Sequence, residues 1–505
     1  MNPAISIPAP HRNDWLIGLA IAIGTIILGV LLIPIESPWS YNTDEAIELS
    51  RLFHTSLGFH LYSEIWSDHP PGWTWLLRGW TAIFGVSLLA AKGLALMMAA
   101  IGMLAFYWIL RLFFDPVTAV FGIVLFSTTA RFLPAINAAT IDMPMLALSL
   151  IGMALFLYGL KNGSRWLVGA SGVFFAYALT IKFFTTILIV TLFACSGILS
   201  RNIGGKEHLK LRWLWLLIII AGFGLLMLTY WPFPHYHLVQ FHTNARKFFG
   251  SETILKLLKR AWEKDYLFLI LTAFSLLLVL TRLRSQIWRV LLPLVWLGLI
   301  LLQFSLQRPV WWIYYPLIAL PLSWIACLPF SKFLSHLRAT DTLNIKNPRS
   351  LLPLLLLAIW LLPIGQVYIH YFREDAMEVA AFRTNPPIEP KQQLLESVLK
   401  FSNQNKWILT DDAMYALYTK TPIPPKVAVL SSKRILTEQL DDQFFIDILN
   451  DYRPEQIVWV RFPEILERPA LQEALANKDY RSLPTSSLSM SHYVRADIWS
   501  QHQKS

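Results

Sequence analysis

Apolar runs of 17 or more residues recur along the first 370 positions, separated by shorter polar connections. Each run is long enough to cross the roughly 30 Å hydrocarbon core of a bilayer as a helix. A helix is required there because the backbone finds no water to bond with. The pattern predicts an α-helical polytopic membrane protein with about eleven transmembrane helices. The predicted spans are 15–34, 90–112, 116–134, 142–160, 166–181, 183–199, 211–230, 265–281, 288–305, 309–329 and 350–370.

Two apolar stretches, the first run and one inside the first loop, differ from the other runs. The first run, Trp15 to Pro34, is too long for the core of a signal peptide and lacks a small-residue cleavage site after it, which predicts an uncleaved first span. The stretch Trp73 to Ser87 is predicted to be a helix lying at the membrane surface. Counting it as a span would reverse the sidedness of every later connection.

The basic residues orient the predicted helices. Short basic connections, such as 201–212, 282–289 and 331–350, are typical of the cytoplasmic side. The long first loop, 35–89, then faces the other side of a cytoplasmic (inner) membrane, together with everything after Tyr371. The loop 231–264 is an exception, because it carries six Lys and Arg residues on the outer side.

The end of the chain differs from the rest. Residues 371–505 contain no apolar run of spanning length, and the short strand-like runs "WIL" and "IVWV" lie among helix-like segments. We predict a transmembrane catalytic domain, 1–370, and a small extracytoplasmic α/β domain, 371–505. The first carries 27 basic and 14 acidic residues and the second 16 and 18, so the membrane body is expected to meet anionic lipid or an anionic group on a lipid.

Composition agrees with this interpretation. The chain is 55% hydrophobic and 15% charged, which excludes an ordinary soluble protein of this length, and we expect the bilayer, not nucleic acid, as its partner. Cys195 and Cys327 both lie inside apolar runs, where they are expected to be small buried hydrophobes and not a disulfide or metal pair.

Acidic residues are concentrated in the first loop. It holds six of the 14 acids of the membrane body: Glu36, Asp44, Glu45, Glu48, Glu64 and Asp68. Asp142 opens a later predicted span from the same side. Acids are common at helix N-termini because of the macrodipole, but ionisable groups at membrane depth are costly and more often functional. We therefore expect Asp44 and Asp142 to line one cavity near the outer leaflet.

Two further stretches carry candidate binding groups. His69, in "WSDHPPGW", is either a hydrogen-bonded structural histidine or a phosphate contact. Arg246 and Lys247 and the amphipathic stretch 255–264 lie in the basic outer loop. That loop is either an interfacial helix attracted to anionic headgroups or a clamp on a lipid phosphate.

Four segments resemble a known family in their order and spacing. They are "YNTDEAIELSR", "SDHPPGWTWLLRGWTAIFGVSLLAAKGLAL", "INAATIDMPMLALSLIGMALF" and "ALTIKFFTTILIV". Over residues 35–200 the chain is similar to GT-C superfamily glycosyltransferases of the dolichyl-phosphate-mannose protein mannosyltransferase-like branch, which includes the aminoarabinose transferases of lipid A.

The resemblance implies transfer of a sugar from a polyprenyl-phosphate donor to a hydroxyl of a lipid, glycan or protein acceptor. It implies Asp44 as the catalytic base, and site roles for Asp68, His69, Asp142 and Lys182. The chain departs from the pattern where many relatives have Glu-Lys before "PP" and Lys-Gly in place of Lys182-Phe183. The predicted site is therefore Asp44 and Asp142 as catalytic residues, with a substrate-binding set of Glu45, Asp68, His69, Arg131, Lys182, Arg246 and Lys247.

The chemistry is consistent with these residue types. A carboxylate of raised pKa can accept the proton of the attacking hydroxyl, and Lys and Arg can neutralise the leaving phosphate. A divalent metal, Mg²⁺ or Mn²⁺, shared by Asp44 and Asp142 stays open, because hard cations prefer oxygen ligands. Two alternatives also stay open: a transporter or flippase for a lipid-linked or anionic solute, and a non-catalytic membrane scaffold.

Overall fold

The computed structural model describes residues 12–37, 43–203, 208–231, 233, 235–339, 361–362, 364–365, 373–384, 390–438, 440–485, 487 and 489–503. The eleventh predicted span, 350–370, lies almost entirely outside these ranges.

Helices make up the membrane body. In the described ranges they are α1 (Arg12–Leu32), α2 (Thr43–Ser56), α3 (Gly72–Phe84), α4 (Leu88–Arg111), α5 (Pro116–Ser127), α6 (Phe132–Asn137), α7 (Asp142–Asn162), α8 (Arg165–Leu179), α9 (Thr185–Ile203), α10 (His208–Leu228), α11 (Phe241–Ala245), α12 (Ile254–Thr281), α13 (Leu291–Leu306) and α14 (Pro316–Ala339). A π-helical turn covers Tyr236–Gln240, and 3₁₀ turns cover Arg284–Val290 and Trp312–Tyr314.

Seven helical segments of the described chain are long and apolar enough to cross a membrane. They are Asn13–Leu32, Leu88–Arg111, Asp142–Asn162, Lys210–Leu228, Ile254–Thr281, Arg284–Leu306 and Trp312–Arg338. Three further predicted spans are shorter apolar helices, Pro116–Ser127, Arg165–Leu179 and Thr185–Leu199. The polytopic helical architecture is confirmed. The stretch predicted to lie at the membrane surface is the separate helix α3, which is too short to span.

Local sequence explains where several helices begin and end. Asp115 caps α5 by accepting the backbone N–H groups of Val117 and Thr118, and Pro116 follows as the first helical residue. Helix α7 ends at Gly163, whose φ of 64° is accessible to glycine without strain.

The predicted span 116–134 is wrong as a single helix, because α5 ends at Ser127 and α6 begins at Phe132. The hydroxyls of Thr128 and Thr129 bond back to carbonyls three residues earlier, which offers the backbone an alternative to continuing the helix. The N–H of Ala130 is bound by the carboxylate of Asp265, at 3.0 Å to each oxygen. The break leaves Arg131 in a turn and not inside a span.

Helix α12, Ile254–Thr281, consists of two helical segments that meet in a kink at Asp265 (φ −130°, ψ 34°). The kink coincides with the predicted start of the eighth span, residue 265, and the basic stretch 255–264 lies in the segment before it. The carboxylate that binds Ala130 therefore lies at the bend of α12.

Helix α7 is central to the bundle and packs against α4 and α8. A Cβ on Gly102 of α4 would lie 3.0 Å from the Cβ of Ala147, so small residues allow these helices to approach closely. The predicted site residues lie at one end of the bundle, in α2, at the start of α7 and in the connections from α2 to α3, α5 to α6, α8 to α9 and α11 to α12.

The described tail, residues 390–503, forms a four-stranded sheet covered by helices. The strands are β1 (Ile408–Thr410), β2 (Gln456–Trp459), β3 (Tyr480–Leu483) and β4 (Ser491–Arg495), in the order β1-β2-β4-β3. The first two are parallel and the other pairs antiparallel. The helices are Pro390–Leu399, Ala413–Thr419, Ser432–Thr437, Asp442–Tyr452, Pro463–Leu466, Pro469–Asn477 and Ala496–His502. The predicted small α/β unit is confirmed.

The tail packs directly on the first loop, with helix Ala413–Thr419 against α2. The buried ring of His54 lies between the two: Nδ1 is 2.8 Å from the carbonyl oxygen of Ser50, and Nε2 is 3.0 Å from the backbone nitrogen of Ile423. Burial lowers the pKa of His54, so the neutral ring can accept the Ile423 N–H. This contact joins residues 369 positions apart.

Candidate active site

A cavity of about 1150 Å³ lies where the connections at this end of the bundle meet the tail. Its charged lining comprises Asp44, Glu48, Asp68, Asp142, Arg131, Lys182, Arg246, Arg260, Arg308, Lys433 and Arg461, with His69 and His242. Acidic and basic side chains that face one cavity, partly enclosed by protein, interact more strongly than they would in bulk water.

Asp44 lies in the first turn of α2, and its side chain is accessible from the cavity. Desolvation at its position inside the cavity raises the pKa of this carboxyl above its ordinary value. Among its neighbours, His69 and Lys182 lower the pKa, whereas Asp142 and Glu48 raise it. Asp44 and Asp142 are therefore close enough to interact, within one cavity.

Asp142 is the first residue of α7 and forms an ion pair with Lys182. The Nζ of Lys182 donates to Oδ1 of Asp142 at 2.6 Å. The same ammonium lies over the ring of Tyr314, 4.4 Å from its centroid, and 5.1 Å from that of Phe184. Aromatic faces attract a cation and remove water from it, so Lys182 is held in a fixed position beside the acids.

Glu45 explains how the two aspartates come together, although it does not line the cavity. Its Oε1 accepts the N–H of Ala139 at 2.8 Å, and its Oε2 is 3.6 Å from the Nζ of Lys92. The indole N–H of Trp73 donates to the carbonyl of Ala139 at 3.1 Å. The first loop therefore holds the connection before Asp142 at two points, the N–H and the carbonyl of Ala139.

Asp68 and its neighbours form an ion-pair network. Arg51 contacts Glu48 at 2.6 Å and Asp68 at 3.0 Å, and the Nζ of Lys433 is 3.4 Å from the other oxygen of Asp68. Burial would raise the pKa of Asp68, but His69, Lys433 and Arg51 outweigh burial and hold the pKa well below its ordinary range. Asp68 is therefore a carboxylate across the physiological pH range.

The Pro-Pro-Gly turn after His69 fixes the first loop against the segment that carries Lys182. The N–H of Gly72 donates to the carbonyl of Thr180 at 2.7 Å, and the hydroxyl of Tyr177 donates to the carbonyl of Gly72 at 3.0 Å. Any Cβ at position 72 would lie 2.7 Å from the oxygen of Thr180. Only glycine fits this approach without displacement.

Arginines occupy another part of the cavity wall. Arg131, Arg246, Arg260 and Arg308 line the cavity, and within the described ranges no ion pair joins them to a carboxylate. The Nε of Arg131 is buried without a hydrogen-bond partner in that part of the chain. The guanidinium of Arg260 lies over Trp312, 5.3 Å from the ring centroid. Unpaired cations in an enclosed space form an anion-binding surface.

An apolar wall adjoins these cations. It is formed by residues of α9 and its preceding connection and of α13: Phe183, Ile187, Val190, Leu299, Leu302 and Leu306. Phe183, Val190, Leu302 and Leu306 are also exposed on the protein surface. The cavity therefore continues from a cationic region to a hydrocarbon-like surface on the side of the bundle.

The tail completes the cavity. Val429, Ser431, Ser432, Lys433 and Arg461 all line it. The turn that carries Arg461 is held by the carboxylate of Asp411, which accepts the N–H groups of residues 460 to 462 at 2.6–2.9 Å.

The structure brings together most of the predicted site. Asp44, Asp142, Asp68, His69, Arg131, Lys182 and Arg246 line one cavity, whereas Glu45 and Lys247 are outside its lining. Glu45 is turned away because it is one residue from Asp44 on a helix, whereas Glu48, four residues on, shares the face of Asp44. Arg260 and His242, which also line the cavity, belong to the basic outer loop 231–264. Lys433 and Arg461 were missed, and nothing in the local sequence of the tail distinguishes them.

The donor set does not fit a divalent metal. Asp142 is bonded to Lys182, and Asp68 and Glu48 are bonded to Arg51. In the described part of the chain, no group of three or more His, Cys, Asp or Glu residues is arranged to hold an ion.

Comparison with known proteins agrees with this picture. Residues 68–231 match the family model described as dolichyl-phosphate-mannose-protein mannosyltransferase. The fold is similar to that of ArnT from Cupriavidus metallidurans bound to undecaprenyl phosphate, with a TM-score of 0.62 at 14% identity, covering 96% of this chain and 98% of that chain. It is also similar to the archaeal oligosaccharyltransferase AglB from Archaeoglobus fulgidus, in complex with an inhibitory peptide and a dolichol-phosphate, with a TM-score of 0.59 at 12% identity, covering 94% and 73%.

No curated protein sequence matches the chain. The solved structures show that the fold is shared, and residues 68–231 match a mannosyltransferase family model. Both findings agree with the resemblance to membrane-embedded GT-C glycosyltransferases that the sequence motifs indicated.

Proposed function

We propose that the protein transfers a sugar from a polyprenyl-phosphate donor to a hydroxyl group of a lipid, glycan or protein at the outer face of the cytoplasmic membrane. The observation that carries the proposal is the single cavity that joins Asp44 and Asp142 to unpaired arginines and an apolar wall. The aspartates suit acid–base chemistry, the arginines suit a phosphate, and the apolar wall suits a polyprenyl chain.

The donor is expected to span the cationic and apolar regions. Its phosphate would contact Lys182 and the arginines, and its hydrocarbon chain would leave between α9 and α13. ArnT, whose fold this chain shares, binds undecaprenyl phosphate, which supports a lipid phosphate as ligand. Arg131, with its unpaired Nε, is the first candidate among the arginines.

The reaction is a single displacement at the anomeric carbon. The acceptor oxygen attacks C1 of the sugar and loses its proton to Asp44. The bond between C1 and the phosphate oxygen breaks, and its electron pair leaves with the phosphate. Attack opposite the leaving group inverts the configuration at C1. The raised pKa of Asp44 suits a group that must take a proton, and cations neutralise the phosphate that departs.

The proposal also assigns a role to each of the two parts of the chain and a side of the membrane to the cavity. Residues 1–370 would form the transmembrane catalytic domain and 371–505 the extracytoplasmic domain. The short basic connection 282–289 joins the end of α12 to the start of α13, far along both helices from Arg260 and Leu306, which line the cavity. This placement favours an outward-facing cavity.

Labelled sugar transfer by purified protein in detergent tests the proposal. Undecaprenyl-phosphate sugars would serve as donors, and product would be followed with Asp44→Asn beside Glu64→Gln. Glu64 is an exposed acid of the same loop and does not line the cavity. We expect Asp44→Asn to lower kcat by about 100-fold or more and Glu64→Gln to have little effect. Unchanged transfer in Asp44→Asn would remove Asp44 as the base, and movement of donor lipid across vesicles without transfer would favour a flippase.

A further inference from the structure

The pair Arg434 and Glu438 helps to fix the tail to the membrane body. Arg434 donates to Oε2 of Glu438 at 2.8 Å and lies over the ring of Trp66, 5.0 Å from its centroid. Oε1 of Glu438 accepts the indole N–H of Trp66 at 2.8 Å and the hydroxyl of Tyr236 at 3.3 Å. Helix Ser432–Thr437 is therefore held against both the first loop and the loop before α11.

This docking directs Lys433 into the cavity. Ser431 caps the short helix by accepting the N–H of Arg434 at 3.1 Å, so Lys433 lies in its first turn. The ammonium of Lys433 is 3.4 Å from Oδ2 of Asp68, 2.7 Å from Nδ1 of His242 and 4.8 Å from the ring centroid of Phe241. Its side chain lines the cavity together with Lys182 and Asp44.

The hydrogen bonds of Lys433 to described residues use two of its three N–H groups. An ammonium carries three N–H groups, and Asp68 and His242 account for two. The pKa of His242 is lowered to about 4 by burial and by Lys433, so its ring is neutral and its Nδ1 can accept. In the described residues Lys433 has no third hydrogen-bond partner, and its side chain lines the cavity.

Lys433 is also within electrostatic range of the reacting groups. Burial lowers the pKa of Lys433 and Asp68 raises it; Lys182 lowers it further and Asp44 raises it. Asp68 already contacts Arg51, so Lys433 is not required to neutralise that carboxylate. A second cation brought near Lys182 by a separate part of the chain is stabilised when an anion binds between them.

We propose that Lys433 is a substrate-binding residue supplied by the tail, which donates its remaining hydrogen bond to the donor phosphate together with Lys182. The active site is then complete only when the tail is docked. This inference rests on the proposed function, because it assigns the anion of the cavity to the polyprenyl phosphate.

Binding of undecaprenyl phosphate to the full-length protein in detergent tests the role directly. Lys433→Met is compared with Lys433→Arg and with the control Lys426→Met. Lys426 is an exposed tail lysine paired with Asp451, outside the cavity lining. Loss of a charge-assisted hydrogen bond predicts about tenfold to hundredfold weaker binding for Lys433→Met. Lys433→Arg should retain most of the affinity, and Lys426→Met all of it.

Two further arms separate phosphate binding from a purely structural role. Undecaprenol, which lacks the phosphate, should bind equally to wild type and Lys433→Met, and inorganic phosphate should compete with undecaprenyl phosphate less effectively in the variant. Lys182→Met and the double variant should show that the two losses are not additive, because both lysines contact one group. Thermal unfolding of each variant shows whether the tail remains packed.

The outcomes are distinct. The inference is overturned if Lys433→Met binds undecaprenyl phosphate as tightly as wild type does. It is also overturned if the variant loses as much affinity for undecaprenol as for undecaprenyl phosphate. In both cases the proposed function stands. If wild type neither binds undecaprenyl phosphate nor transfers sugar from any polyprenyl-phosphate donor, the proposed function itself fails.

Discussion

Lys182 lies 2.6 Å from Asp142, beside Asp44 in the same cavity. The pair sets the electrostatic conditions for Asp44, because Lys182 lowers the pKa of that carboxyl and Asp142 raises it. Removing either partner should change the proton affinity of Asp44 in opposite directions. This makes the proposed role of Asp44 measurable without abolishing Asp44 itself.

The first prediction concerns the pH profile of transfer. A base must be ionised to accept a proton, so kcat/KM should fall as the pH drops below the pKa of Asp44. Lys182→Met removes a charge that lowers this pKa, so the acidic limb should move to higher pH. Asp142→Asn removes a charge that raises it, so the limb should move to lower pH. Measuring the residual kcat/KM of each variant across pH tests both shifts. Shifts of the same sign in the two variants would contradict Asp44 as the base.

The second prediction concerns the turn at Gly72. A Cβ there would lie 2.7 Å from the oxygen and 2.8 Å from the carbon of the Thr180 carbonyl, so Gly72→Ala must separate the first loop from the segment that carries Lys182. Displacement by about 1 Å can cost on the order of 100-fold in rate, and we expect kcat/KM to fall by tenfold or more. Gly79→Ala in α3 is the matched control, because no atom lies within 4 Å of its added Cβ. Equal activities in the two variants would show that the contact is dispensable.

The third prediction concerns the apolar wall. Leu302 lines the cavity and is 56% exposed. Leu302→Asn should raise KM severalfold for a long-chain polyprenyl-phosphate donor, because it places a polar amide against the hydrocarbon chain. A donor with a short chain should be unaffected. Leu277, on α12, is also 56% exposed but lies outside the lining, so Leu277→Asn should leave both donors unchanged. An equal effect of Leu302→Asn on short and long donors would place the chain elsewhere.

The fourth prediction concerns Glu45 and Lys92, whose side chains are each 2% exposed. Glu45→Ala leaves an ammonium buried without its carboxylate and should lower the free energy of unfolding by about 3–5 kcal/mol. In the double variant Glu45→Ala/Lys92→Met no unpaired charge remains, so much of this loss should be recovered. Unfolding of both variants in detergent measures the difference. A double variant less stable than Glu45→Ala would contradict a simple charge-pair account.

Sequence alone determined the membrane architecture of this protein. Long apolar runs must be helical in hydrocarbon, and this requirement does not depend on neighbours. The same reasoning placed Asp142 at the start of α7. The strand-like runs near residues 408 and 457 became β1 and β2 for a similarly local reason, their β-branched and aromatic composition.

Only the tertiary structure decided which side chains share the cavity. The break before Arg131 depends on Asp265, which is 135 residues away from Ala130. Lys433 contacts Asp68 across 365 residues, through a docking of tail on loop that no local pattern encodes. Periodicity and composition act within a few turns of chain, whereas ion pairs and close backbone approaches form between segments that meet only when the whole chain is folded.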